Sequence, residues 1–210
     1  MNITFVSTVH KERGKCNADE LYEILEQLKP EVIFLEAIED TYSDYDKTLF
    51  YTWGVAHKKL EIAAIQKYNN NKTVEYVPVL DAELPTAFYE KYDIVTKQVA
   101  LQKLLDECDY LVRNDGFKFL NSDDCMKRHE EMRELENRLL SNDELKLESD
   151  AGINAYEDAM IRNIYSYSKS NKFNTAVFMC GAAHRKSIND KIEKMKEKEN
   201  ANINWTFFNY

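Results

Sequence analysis

Apolar residues along this chain fall into short unbroken runs and longer stretches at helical spacing, and the two alternate. Ile3 to Val6 is a run rich in β-formers and predicts a strand. Leu21, Ile24, Leu25 and Leu28 follow at helical spacing. Asn17 reads as the N-cap of that helix, with Glu20 as capping-box partner, and Pro30 ends it. Val32-Ile33-Phe34-Leu35 is apolar without alternation, the pattern of a parallel strand covered on both faces. A second helix is expected from about Trp53 to Tyr68, with Trp53, Leu60 and Ala64 on one side and Asn69-Asn70-Asn71 as its stop. Val74 to Leu80 predicts a third strand, and Pro78 within it points to a sheet edge or a bulge. This β-α-β-α-β order specifies parallel strands joined by crossover helices.

The pattern then changes. From about 86 to 150 no strand is predicted. Leu101, Leu104, Leu105, Cys108 and Leu111 make one helical face, and Met126, His129, Met132, Leu135 and Leu139 make another. This stretch reads as a helical insertion or cap with a charged outer face. Asn154 with Glu157 is expected to open a further helix, on which Tyr156, Met160, Ile164 and Tyr167 share a face. Ala176 to Cys180 predicts a fourth strand, about His184 to Lys198 a helix, and Ile203 to Phe208 a last strand. The expected fold is a single α/β domain over residues 1–210. Its parallel-dominated sheet has about four to six strands, flanking helices and one helical insertion.

Composition narrows the partners. The formal net charge is −9, which repels a phosphate backbone, so no nucleic-acid partner is expected. Cationic or neutral small molecules, or peptides, fit better. No apolar run has the length of a membrane span, and the first residues lack the basic and apolar segments of a signal peptide. Cys16, Cys108, Cys125 and Cys180 are scattered without a C-x-x-C pair, the usage of free thiols in a reducing compartment. A cytoplasmic location is therefore the expectation. Oligomeric state stays open.

The chemistry gathers at strand ends. Ser7-Thr8-Val9-His10 and Gly181-Ala182-Ala183-His184 are two copies of one arrangement, an apolar run closing in small residues and a histidine. The predicted strands are followed by His10, by Glu36, by Asp81 and Glu83, and by His184. In a parallel sheet these ends share one edge, where ligands bind. Imidazole and carboxylate groups converging there suit Zn²⁺, Mn²⁺ or Fe²⁺, with His10, Glu36, His184 and Asp81 as ligands. Such a metal would activate a water. Without a metal, histidine and glutamate remain usable as base and acid. Gly181, Ala182 and Ala183 would let backbone approach a ligand. His184 is expected in the first turn of the following helix, whose positive end favours neutral imidazole. Glu12, two residues past His10, is a candidate proton shuttle.

Other residues have plainer readings. His57 shares a predicted helical face with Trp53 and Leu60 and reads as a core histidine. His129 lies one turn after Cys125, a metal-pair spacing that nothing nearby completes. Asp158 and Arg162 have the spacing of a surface ion pair. Phosphate-binding glycine loops and the nucleophile-elbow motif are absent from the sequence.

The first small-x-x-His, the segment Lys29-Pro30-Glu31-Val32-Ile33-Phe34-Leu35-Glu36 and the late Gly181-Ala182-Ala183-His184 together resemble the TraB/Tiki (GumN, PrgY) families. Those families share a superfamily with the erythromycin esterases and the ChaN-like haem-binding proteins. Met160 and Asn163, in a helix before the last motif, add to the likeness. The resemblance spans both ends of the chain and misses roughly the middle third. It implies an α/β fold with a helical insertion and a site built from His10, Glu36 and His184. Tiki-like members are regarded as metal-dependent proteases, erythromycin-esterase relatives hydrolyse an ester with histidine and glutamate, and ChaN-like relatives bind haem. The chain departs from the pattern in two places. Ser7 stands where the first motif usually has glycine, and Tyr156-Glu157-Asp158 lacks the arginine that usually precedes the late acidic position. Arg162, one turn on, is the candidate substitute for a substrate-anion contact. The expected function is a metal-assisted hydrolase of peptide or ester bonds. The rivals are a haem- or metal-binding module without turnover and a partner-binding protein with a decayed site.

Overall fold

The computed structural model describes residues 1–38, 59–70, 72–196 and 202–210. Five strands form one sheet: β1 (Asn2–Thr8), β2 (Val32–Ile38), β3 (Glu75–Leu80), β4 (Thr175–Gly181) and β5 (Asn204–Phe207). Their order is β3-β2-β4-β1-β5, and every neighbouring pair is parallel. Pro78 lies in β3 at one edge, where its missing N–H costs no ladder bond on the open side. β4 occupies the middle, with β1 on one side and β2 on the other. Its residues Ala176 to Cys180 are all buried, as expected for a strand covered on both faces.

The described helices are α1 (Ala18–Leu28), α2 (Leu60–Asn69), α3 (Thr86–Val95), α4 (Val99–Leu120), α5 (Asp123–Leu139), α6 (Asp143–Ser170) and α7 (Arg185–Lys196). Strand periodicity divides the core. Val6, Ile33, Leu35, Val177 and Met179 pack with Leu21, Ile24, Leu60, Ala64 and Phe117 from α1, α2 and α4. Ile3, Phe5, Phe34 and Phe178 pack with Met160, Ile164, Ile188 and Ile192 from α6 and α7 on the other face. A third cluster, including Val95, Leu101, Met132 and Leu145, is internal to α3, α4, α5 and the start of α6. The expected helical insertion therefore has its own small core. Its expected end at residue 150 falls inside a continuous helix.

Two capping expectations change. Asn17 does cap α1, its side chain accepting from the Glu20 N–H at 3.0 Å. Glu20 does not return the favour. Its carboxylate accepts from the Phe117 N–H at 3.0 Å, where α4 kinks at Gly116 (φ 56°, ψ −137°) and leaves that donor outside the helical ladder. A side chain at Gly116 would overlap the Glu20 carboxylate. Asn154 caps nothing, because α6 starts upstream at its own cap, Asn142, twelve residues earlier, whose side chain accepts from the Leu145 N–H at 3.1 Å. Asn154 instead donates to Asp158 and accepts from Lys191. The described part of the second helix begins at Leu60. The earlier expected turns, with Trp53 and His57, lie outside the described residues.

Candidate active site

The strand order puts three of the expected site residues on adjacent strands. Glu36 is on β2, His184 follows β4, and His10 follows β1 by two residues. A bulge helps to aim Glu36. Leu35 pairs with Pro78 and Ile38 with Leu80, so β2 holds one residue more than β3 between those pairs.

His184 is the last residue of a 3₁₀ turn, Ala182–His184, that precedes α7. Its Nδ1 lies 2.8 Å from Glu157 Oε1, and its Nε2 lies 3.6 Å from Glu36 Oε1. Glu36 is held on both oxygens. Oε2 accepts the Gly181 N–H at 2.7 Å, and Oε1 accepts the Tyr156 hydroxyl at 2.9 Å. Glu157 is buried and also accepts from the Ser187 hydroxyl, with Lys191 Nζ 4.0 Å away. Burial by itself would lower the His184 pKa, but the Glu157 hydrogen bond and the charges of both carboxylates outweigh it and raise the pKa above the ordinary imidazole value. Burial would likewise raise Glu36, yet the His184 charge and the Gly181 N–H bring it below the usual carboxylate value. The shift runs opposite to the direction expected from the positive end of the helix. Its ring sits between two carboxylates, and close charges outweigh the positive end of one helix.

His10 has a matching arrangement. Its Nδ1 lies 3.1 Å from Glu61 Oε1, and the Thr8 hydroxyl donates to the same oxygen at 3.0 Å. The Glu61 side chain is 9% exposed, whereas that of His10 is 57% exposed. The hydrogen bond to Glu61 raises the His10 pKa, and the Glu36 charge adds to the effect. The pair fixes the Nδ1 side of the ring and leaves Nε2 for chemistry. Among the described residues, the second Glu61 oxygen, Oε2, is buried without a hydrogen-bond partner.

Beside these groups is a cavity of about 300 Å³. His10, Glu36, Glu61, Glu83 and Tyr156 contribute polar lining, with Leu35, Ile62 and Met179 among the apolar walls. The expected residues divide around it. Gly181 serves by its N–H, and an added Cβ there would meet Glu36 Oε2 at 3.4 Å. Asp81 is turned away, accepting from Arg162 and, at 2.7 Å, from Asn163. Arg162 thereby pairs with Asp81 and not with Asp158, which binds Lys191 at 2.6 Å. Glu12 accepts the Ala18 N–H at 2.9 Å at the start of α1 and is not among the described residues that line the cavity. Ser7 and Ala182 are buried; the Ser7 N–H donates to Asn121 Oδ1 at 2.8 Å, which closes it to a ligand. Burial lowers His129 to about 4 and raises the Cys125 thiol to about 12, which disfavours Cys125 as a thiolate ligand. The four cysteines are free thiols.

The expected metal ligands are His10, Glu36, His184 and Asp81. Among the described residues, no three His, Cys, Asp or Glu side chains converge to hold a metal. Asp81 is engaged by Arg162 and Asn163, and both ring nitrogens of His184 face carboxylates. The residues as placed do not fit that set.

Three contributors were not read from the sequence as site residues: Glu61, Glu157 and Tyr156. A signal existed. Glu61 interrupts the apolar run Leu60-Glu61-Ile62-Ala63-Ala64-Ile65, and Glu157 lies on the face of α6 that carries Met160 and Ile164. A carboxylate in a helix's buried stripe needs a partner, and a histidine at a neighbouring strand end is one. No helix among the described residues is long and apolar enough to cross a membrane. Comparison with known proteins gives no match: no family model matches the chain, and neither does a curated protein or a solved structure.

Proposed function

We propose that the chain hydrolyses ester or peptide-type bonds of small molecules or peptides, with His10 as general base in the cavity. The observation that supports this reading is the His10–Glu61 pair: a buried carboxylate fixes one ring nitrogen of a half-exposed histidine that lines a cavity shared with Glu36. His10 Nε2 takes a proton from water as the water oxygen attacks the carbonyl carbon, and the carbonyl electron pair moves to its oxygen. When that pair returns, the bond to the leaving group breaks, and His10 gives the proton to the departing oxygen or nitrogen. Glu36, kept ionised, accepts the water's other hydrogen and orients it. His184, Tyr156 and Gly181 hold Glu36 in place.

Turnover of a panel of chromogenic esters and peptide anilides tests the proposal. No turnover on any of them sinks it. A chelator distinguishes the acid–base form, which keeps its rate, from the metal-assisted form, which loses it and regains it with Mn²⁺, Zn²⁺ or Fe²⁺. A Soret band on haem titration, with no hydrolysis, would put a haem-binding module in its place.

The pH profile carries a separate prediction. His10 works as a base only when neutral, and Glu61 keeps it protonated to higher pH than an ordinary imidazole, whose pKa is 6.5. Wild-type kcat/KM is expected to rise with pH through a midpoint above that value. Glu61→Gln removes the largest cause of the shift, so the midpoint moves to lower pH while the plateau falls. A midpoint unmoved by Glu61→Gln would show that His10 is not the titrating base.

A further inference from the structure

We infer that the cavity receives an organic ammonium group, with the hydrocarbon next to it on the apolar walls. This rests on the cavity being the substrate site of the proposed hydrolase. Among the described residues, three carboxylates, Glu36, Glu61 and Glu83, line it, with Lys59, His10, Tyr89 and Tyr156 as the other polar groups. Lys59 has an interaction of its own, and His10 is held at Nδ1 by Glu61. Tyr156 gives its hydroxyl proton to Glu36, so its oxygen offers the cavity a lone pair and no hydrogen.

The second observation is Glu61 Oε2. Its side chain is only 9% exposed, it belongs to the cavity lining, and this oxygen has no partner among the described residues. A buried carboxylate oxygen without a donor is costly, and a charged N–H satisfies it better than a neutral one. Leu35, Ile62 and Met179 suit a hydrocarbon body and disfavour a polyol. An anion would meet the carboxylates and be repelled.

Three probes of one shape decide the matter by calorimetric titration: phenethylamine, 2-phenylethanol and 3-phenylpropionate. The amine is expected to bind at least about tenfold more tightly than either of the others. Glu61→Gln should remove most of that preference. Glu83→Gln, outside the His10 pair, should reduce the preference about threefold, and circular dichroism checks that both variants fold. Equal affinity for the three probes, or a preference that survives both variants, overturns the inference. Titration reads binding without turnover, so the two ideas fail separately. Amine preference with no hydrolysis of any ester overturns the hydrolase alone. Hydrolysis of neutral esters with no amine preference overturns this inference alone.

Discussion

His10→Ala is expected to lower kcat for ester hydrolysis by about 10²–10⁴-fold, the usual contribution of a positioned general base. The same variant should fold normally, with an unfolding free energy within about 1 kcal/mol of wild type. The reason is where the ring sits. His10 lies beyond the end of β1 with its side chain 57% exposed, so its removal empties no part of the core. Glu61 Oε1 keeps the Thr8 hydroxyl as a donor. His184 offers no such clean test. It is 14% exposed between two carboxylates, and cutting it back leaves Glu157 and Glu36 without the imidazole that lies between them. Steady-state kinetics beside urea unfolding separate the two effects. An His10→Ala protein that turns over at the wild-type rate would remove His10 from the mechanism.

Arg185→Ala is expected to cost about 3 kcal/mol of stability, seen as a lower urea midpoint with an unchanged slope. Arg185 is 8% exposed. It donates to the Phe208 carbonyl at 2.8 Å, and to Ser7 Oγ and Asn121 Oδ1 at 3.2 Å each. Its guanidinium also lies over the rings of Phe5 (5.7 Å) and Phe207 (5.3 Å). One buried side chain thus joins β1, the end of α4 and the residue after β5. Alanine leaves buried acceptors without their donor and a void beneath two aromatic rings. Arg185→Met refills part of the volume and none of the hydrogen bonds, so it should recover less than half of the loss. A stability loss of under about 1 kcal/mol in Arg185→Ala would mean that water replaces the guanidinium without penalty. The consequence reaches the site, because Arg185 directly follows His184 and anchors the start of α7.

The strands were legible because each is a short apolar run, and a buried parallel strand needs little more. Val32–Leu35 and Ala176–Cys180 read correctly for that reason, and Pro78 marked the edge strand it sits in. Helix starts were less legible. Asn154 and Glu157 have capping-box spacing, yet they lie deep inside α6, because a short local pattern does not reveal a start eleven residues upstream. Glu20 has the right spacing too, but a kink at Gly116, close to a hundred residues away in the chain, offers its carboxylate a better donor.

The two small-x-x-His segments could be recognised by themselves, and so could Glu36 at the end of its run. Their spacing places histidines and a carboxylate at the carboxyl edge of a parallel sheet, since strand direction alone decides which ends meet. What those side chains became was decided elsewhere. The order β2-β4-β1 set His184 between its neighbours, and α2 and α6 brought Glu61 and Glu157 to the two imidazoles. The same packing drew Asp81 to Arg162 and Glu12 to the N-terminus of α1. A charged group takes the nearest partner that burial leaves it, and the chain's spacing does not say which partner that will be.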